Sequence, residues 1–156
     1  MGNDAPFDLA VGHRWFSATF FNATWDLMDK ADRTEDETEQ MISLSHASLC
    51  HWRQRADCKP INLSVAYWQL SRVYALAKRV DESLNYAQHC LDVSEEVGAF
   101  YLGYAHEAMA RATQLAGDTT ACTEHLAAAR DQASLVAEQD SRSALEGDLD
   151  AIAATT

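Results

Sequence analysis

Glycine and proline are scarce in this chain, six and two in 156 residues. That leaves little material for the many tight turns of a β-sandwich or barrel. Long apolar runs are missing as well: no stretch approaches the roughly 18 uninterrupted apolar residues that a spanning helix needs. Basic residues are half as common as acidic ones, 12 Lys and Arg against 24 Asp and Glu, for a formal net charge of −12. A surface of that sign repels phosphate backbones and anionic lipid, so neither nucleic acid nor membrane is expected as a partner. Residues 1–12 carry Asp4 and Asp8 but no basic residue. Without the cationic start of a secretory signal, a cytoplasmic location is expected.

Catalytic signatures are absent too. There is no Gly-x-Ser-x-Gly elbow, no phosphate loop and no dinucleotide glycine fingerprint, so catalysis is not expected. Cys50, Cys58, Cys90 and Cys122 are spaced by 8, 32 and 32 residues and form no Cys-x-x-Cys pair. They are expected to be reduced thiols packing as small apolar side chains. His89 and Cys90 are no nucleophile–base pair, because adjacent residues on a helix diverge. His46, Cys50 and His51 are the densest set of potential metal ligands. His46 and Cys50 lie one turn apart, but His51 points away and no known metal spacing is matched, so no metal or other cofactor is expected. The ordinary alternative puts Cys50 in the core and gives His46 or His51 a hydrogen bond to a neighbouring helix.

What the chain has in plenty is helical period. Leu63, Ala66, Tyr67, Leu70, Val73, Tyr74 and Ala77 recur at three- and four-residue steps. Leu84, Ala87, Leu91 and Ser94 repeat the pattern after an expected cap at Asp81. Leu102, Ala105, Ala108, Met109, Ala112 and Leu115 follow between Gly98 and Gly117. Then come Cys122, Leu126, Ala129, Ala133 and Val136, and finally Leu145, Leu149 and Ile152 in a helix opening at Asp140 or Ser141. Upstream, Thr34 and Glu37 make a capping box for a helix through Met41, Leu44, Ser48 and Trp52 that Lys59-Pro60 ends. The reading is all-α: about seven helices as antiparallel pairs (about 8–56, 62–97 and 99–138), with a capping helix over about 141–153, in one domain.

The pairs repeat. At an offset of 39, Ala66 aligns with Ala105, Arg72 with Arg111, Leu76 with Leu115 and Ala77 with Ala116. Ser83 aligns with Cys122 and Cys90 with Ala129, small residues that let backbones approach. Tyr67, Leu70-Ser71, Tyr74, Ser83 and Cys90 sit at the spacings of the tetratricopeptide repeat, with Ser for its Gly. In the later unit His106, Met109-Ala110, Thr113, Cys122 and Ala129 take those places. Together with His51-Trp52, Trp68, Ser71-Arg72-Val73-Tyr74-Ala75 and Glu107-Ala108-Met109-Ala110-Arg111-Ala112, residues 40–116 resemble a group of bacterial tetratricopeptide-like proteins. That resemblance implies an α-solenoid whose first helices line a concave groove.

In such a groove Trp68, Arg72, Tyr104, Glu107 and Arg111 would converge. Guanidinium groups take carboxylates or phosphates in a fork, and ring faces take apolar or cationic groups. The plain alternative is that Glu107 and Arg111 form an i,i+4 pair and Arg72 merely neutralises Glu107. The expected function is a scaffold or protein-interaction module binding a protein or peptide partner in the groove. The alternative is a small-molecule-binding protein or enzyme that uses the same residues for an anionic ligand. Trp15, Phe16, Phe20, Phe21 and Trp25 wrap most of the first helix. Such a helix must be covered, either by a second copy in a homodimer, the preferred reading, or by the N-terminal segment.

Overall fold

The computed structural model describes residues 7–155, and its seven regular elements are all α-helices. In order they are α1 (Leu9–Met28), α2 (Glu35–Arg53), α3 (Pro60–Leu76), α4 (Val80–Ser94), α5 (Ala99–Leu115), α6 (Thr119–Ser134) and α7 (Gln139–Ala153). No strand occurs among the described residues.

The ends are set by local chemistry. The Thr34–Glu37 box closes both ways: the Glu37 N–H donates to Thr34 Oγ1 at 3.2 Å, and the Thr34 N–H to Glu37 Oε2 at 2.9 Å. Pro60 does not merely stop the preceding helix. It opens α3, in the first turn, where its missing N–H costs nothing. Asp81 is not the cap of α4. Lys78 takes a φ of +57° and the Arg79 N–H returns to the Tyr74 carbonyl at 2.9 Å, so the reversal is finished by Arg79. Asp81 thus falls in the first turn of α4, on the positive end of its dipole. Gly98, at φ +130°, precedes α5 rather than ending α4, which stops at Ser94. α7 opens slightly before the expected Asp140 because Glu138 caps it, accepting from the Asp140 and Ser141 N–H groups at 2.9 and 2.6 Å.

Each helix packs on the next in sequence, α3 also packs on α5, α5 on α7, and α1 touches α3. Small residues bring the backbones close. Ser71 and Ser83 exchange bonds, each hydroxyl donating to the other's carbonyl at 3.0 Å, and Ser64 Oγ lies 2.7 Å from Ser94 Oγ. Buried Cys90 reaches the Ser64 carbonyl at 3.3 Å, and burial pushes its thiol up to about 12. Two buried clusters dominate. Met41, Leu70, Val73 and Cys90 belong to the first; Ala110, Leu126, Leu145, Leu149 and Ile152 to the second. The apolar stripes of α6 and α7 are buried at every expected position.

The aromatic helix finds part of its cover inside the chain, where Phe16, Phe20, Phe21 and Trp25 are each partly buried. α1 buries Ser17, Thr24 and Met28, and Ser48 donates to the Ser17 carbonyl at 2.8 Å. Phe16 and Phe20 stack at 5.2 Å and both lie against His51. Phe21 meets Trp25 edge-on, and Trp25 stacks on Trp68 at 5.6 Å. Of the five residues expected in a dimer interface, Trp15 is the one left largely exposed, at 66%, beside exposed Leu9 and Val11. The N-terminal segment offered as an alternative cover lies, for residues 1–6, outside the described residues.

Candidate functional site

Trp68 and Arg72 stand one turn apart on α3, while Tyr104, Glu107 and Arg111 follow one another on α5, and α3 packs on α5. That packing brings the five side chains expected in the groove to one place. The Trp68 indole N–H donates to Glu107 Oε2 at 2.8 Å. Arg111 donates through Nε to Glu107 Oε1 at 2.9 Å, and its Nη2 reaches the same oxygen. Glu107 is 1% exposed, and both of its oxygens are engaged. The i,i+4 pair raised as the plain alternative therefore forms.

Arg72 behaves differently. It makes no hydrogen bond or ion pair with any described residue, so it does not neutralise Glu107 by contact. No buried side-chain nitrogen or oxygen among the described residues lacks a partner, so the unbonded Arg72 nitrogens reach solvent. Burial, then the Arg111 charge, lowers its pKa, with Glu107 and Asp148 opposing. A guanidinium stays protonated at neutral pH regardless. The site thus holds one spare cation whose fork is unused.

Tyr104 joins the site to α7. Its ring meets Trp68 edge-on at 5.8 Å and Phe100 at 5.0 Å, and its hydroxyl donates to Asp148 Oδ2 at 3.0 Å. Burial first, then the Asp148 charge, pushes its phenol pKa upward. Beside Trp68 opens a cleft of about 240 Å³, lined by Trp25, Phe100, Tyr101, Tyr104 and Asp148 among others. Sequence reasoning missed Asp148, Phe100 and Tyr101, and named Trp25 only for a dimer interface, not for this cleft. The only signal for Asp148 was its place next to Leu149 on the seam of the last helix.

The other candidate cluster disperses. His46 Nε2 lies 2.8 Å from the Tyr74 hydroxyl and His51 Nδ1 lies 2.8 Å from His13 Nδ1. Cys50 is exposed rather than core, because α2 turns its 42–45–49 side inward. No group of three or more metal-ligating side chains forms among the described residues. No described helix is long and apolar enough to cross a membrane.

These histidines carry a pH prediction. Burial lowers the pKa of His46, His51, His106 and His125 below 6.5, with His13 adding to the effect on His51 and His125 to that on His106. The unfolded chain then binds more protons than the folded one just below that value, so stability falls with falling pH. Their contribution is complete above about pH 6.5 and is lost as pH drops through the lowered folded values. The paired carboxylates Asp57, Glu37 and Glu138 act in a separate window, below about pH 4.5. Calorimetric melting temperature is expected to stay level from pH 8 to 7 and decline between 6.5 and 5. A flat profile to pH 5 would refute this.

No protein-family model matches the chain, and neither a curated protein nor a solved structure matches it.

Proposed function

We propose that the chain is a partner-binding module: a stack of antiparallel helix pairs of tetratricopeptide-like type that receives a peptide segment of another protein between α3 and α5. The packing order supports the stack, since α3 meets α5 and α5 meets α7 across the pairs, and α7 covers α5 and α6 as a cap would. One observation carries the binding role: Arg72, one turn from Trp68 on α3, keeps an unbonded guanidinium near Glu107, Arg111 and Asp148. Glu107 and Arg111 are the internal brace that holds Trp68 in place, and Arg72 is the group that reads a partner carboxylate. Nothing in the site offers a nucleophile–base pair, which favours recognition over catalysis.

A displayed library of random peptides selected on the full chain tests this. Enriched peptides should carry Asp or Glu and lose about 10- to 100-fold in affinity with Arg72→Ala, the range for a charge-assisted hydrogen bond. Unchanged circular dichroism would show that the variant is folded. Failure to enrich any peptide, or affinity indifferent to Arg72, would remove the groove from the proposal.

A further inference from the structure

We propose that the aromatic cleft beside Trp68 takes an alkylammonium group, a lysine or methylated lysine side chain of the bound partner. This deepens the peptide-binding reading and rests on it. The cleft is walled by rings from three helices: Trp25 of α1, Trp68 of α3, and Phe100, Tyr101 and Tyr104 of α5. Tyr104 stands at 85° to Trp68 and at 71° to Phe100, while Trp25 stacks on Trp68. Rings set this way present both edges and faces to a shared space, and a face attracts a cation through its quadrupole.

The cleft lining holds one carboxylate, Asp148, and no basic side chain. Its Oδ2 accepts from Tyr104, and its Oδ1 has no hydrogen-bond partner among the described residues. A half-buried carboxylate oxygen facing aromatic walls disfavours an anion and gains from a cation. Arg72 and Arg111 do not reverse that preference. Arg111 is bonded to Glu107, so Arg72 leaves plus one at the site's far end while Asp148 puts minus one in the cleft, whose lining includes neither arginine. The acidic chain, at −12, also draws basic segments toward it. At about 240 Å³ the cleft is below the roughly 300–1,000 Å³ of drug-sized pockets, and suits the head of a side chain. With Arg72 one turn from Trp68, the favoured segment carries a basic residue and an acidic residue a short step apart.

The test titrates the full chain with N-acetyl-trimethyllysine methylamide, its unmethylated lysine counterpart, the neutral isostere with a quaternary carbon in place of nitrogen, and choline. The indole N–H signals of Trp25 and Trp68 in ¹⁵N-resolved NMR are the readout. The trimethyl and lysine probes should shift both signals saturably, the trimethyl probe about tenfold or more tighter than the isostere. Asp148→Asn keeps an oxygen for Tyr104, so the fold survives, and should weaken ammonium binding while the isostere is unaffected, the ring faces accounting for the preference that remains. Equal binding of the isostere, no saturable shift, or indifference to Asp148→Asn would overturn the inference. Choline binding tighter than both lysine probes would overturn its assignment to a side chain. Arg72→Ala should leave ammonium binding intact. If peptides require Arg72 but no ammonium binds, this inference alone falls; if ammonium binds but no peptide is selected, the peptide-binding reading falls.

Discussion

Leu149→Ala is expected to lower the melting temperature by about 6–15 °C, from a loss of about 3–4 kcal/mol spread over a chain of this length. Leu149 is 0% exposed and packs in one buried cluster with Leu126, Leu145, Ile152 and Ala110. Truncating it leaves a cavity between α7 and the α5–α6 surface that α7 covers, and the surroundings relax only in part. The effect reaches the candidate site, because the neighbouring residue on α7 is Asp148, bonded to Tyr104. Asp150→Ala is the control: its pair with Arg130 is solvent-exposed, and such pairs contribute at most about 1 kcal/mol. Calorimetry on both variants decides. A change under about 2 °C for Leu149→Ala would mean that α7 does not seal the core, since a fully buried leucine cannot be so cheap.

Glu107→Ala should cost nearly as much, about 2–3 kcal/mol, or about 4–12 °C. Removing the carboxylate strands two donors at once, the Trp68 indole N–H and the Arg111 guanidinium. The Arg111 side chain is 20% exposed, so water recovers part of that loss, and the figure sits below that for a fully buried pair. Glu107→Gln retains an acceptor for Trp68 and should lose less. Glu107→Ala combined with Arg111→Ala should be more stable than Glu107→Ala alone, because the stranded cation is gone. Chemical denaturation of the three variants measures the order. If the double variant is the least stable, Arg111 stabilises through its methylenes rather than through its charge.

The helices were readable from local pattern because their causes are local. The Thr34–Glu37 box, Gly117 at φ +79° and the stripes of α6 and α7 each involve residues within a few positions of one another. Asp81 misled because the residue that ended the turn was Lys78, in a left-handed conformation that nothing in its side chain announces. The 39-residue offset already paired the positions of Trp68 and Glu107, which lie across the α3–α5 contact as hydrogen-bonded partners.

Period and composition alone determined that this chain is helical and about where its helices run; that five polar and aromatic residues share a groove came only from the resemblance to the tetratricopeptide repeat. Which of those groups remain available was decided only in three dimensions. Glu107 is used up by Trp68 and Arg111, Arg72 is left unbonded, and the cleft gains Trp25 from the first helix and Asp148 from the last. Hydrogen-bond satisfaction depends on distances between residues far apart in sequence, such as Tyr104 and Asp148, 44 positions apart, and no local pattern encodes those. The aromatic first helix makes the same point: its rings signalled a need for cover, but only packing showed that His51 and Trp68 lie against them.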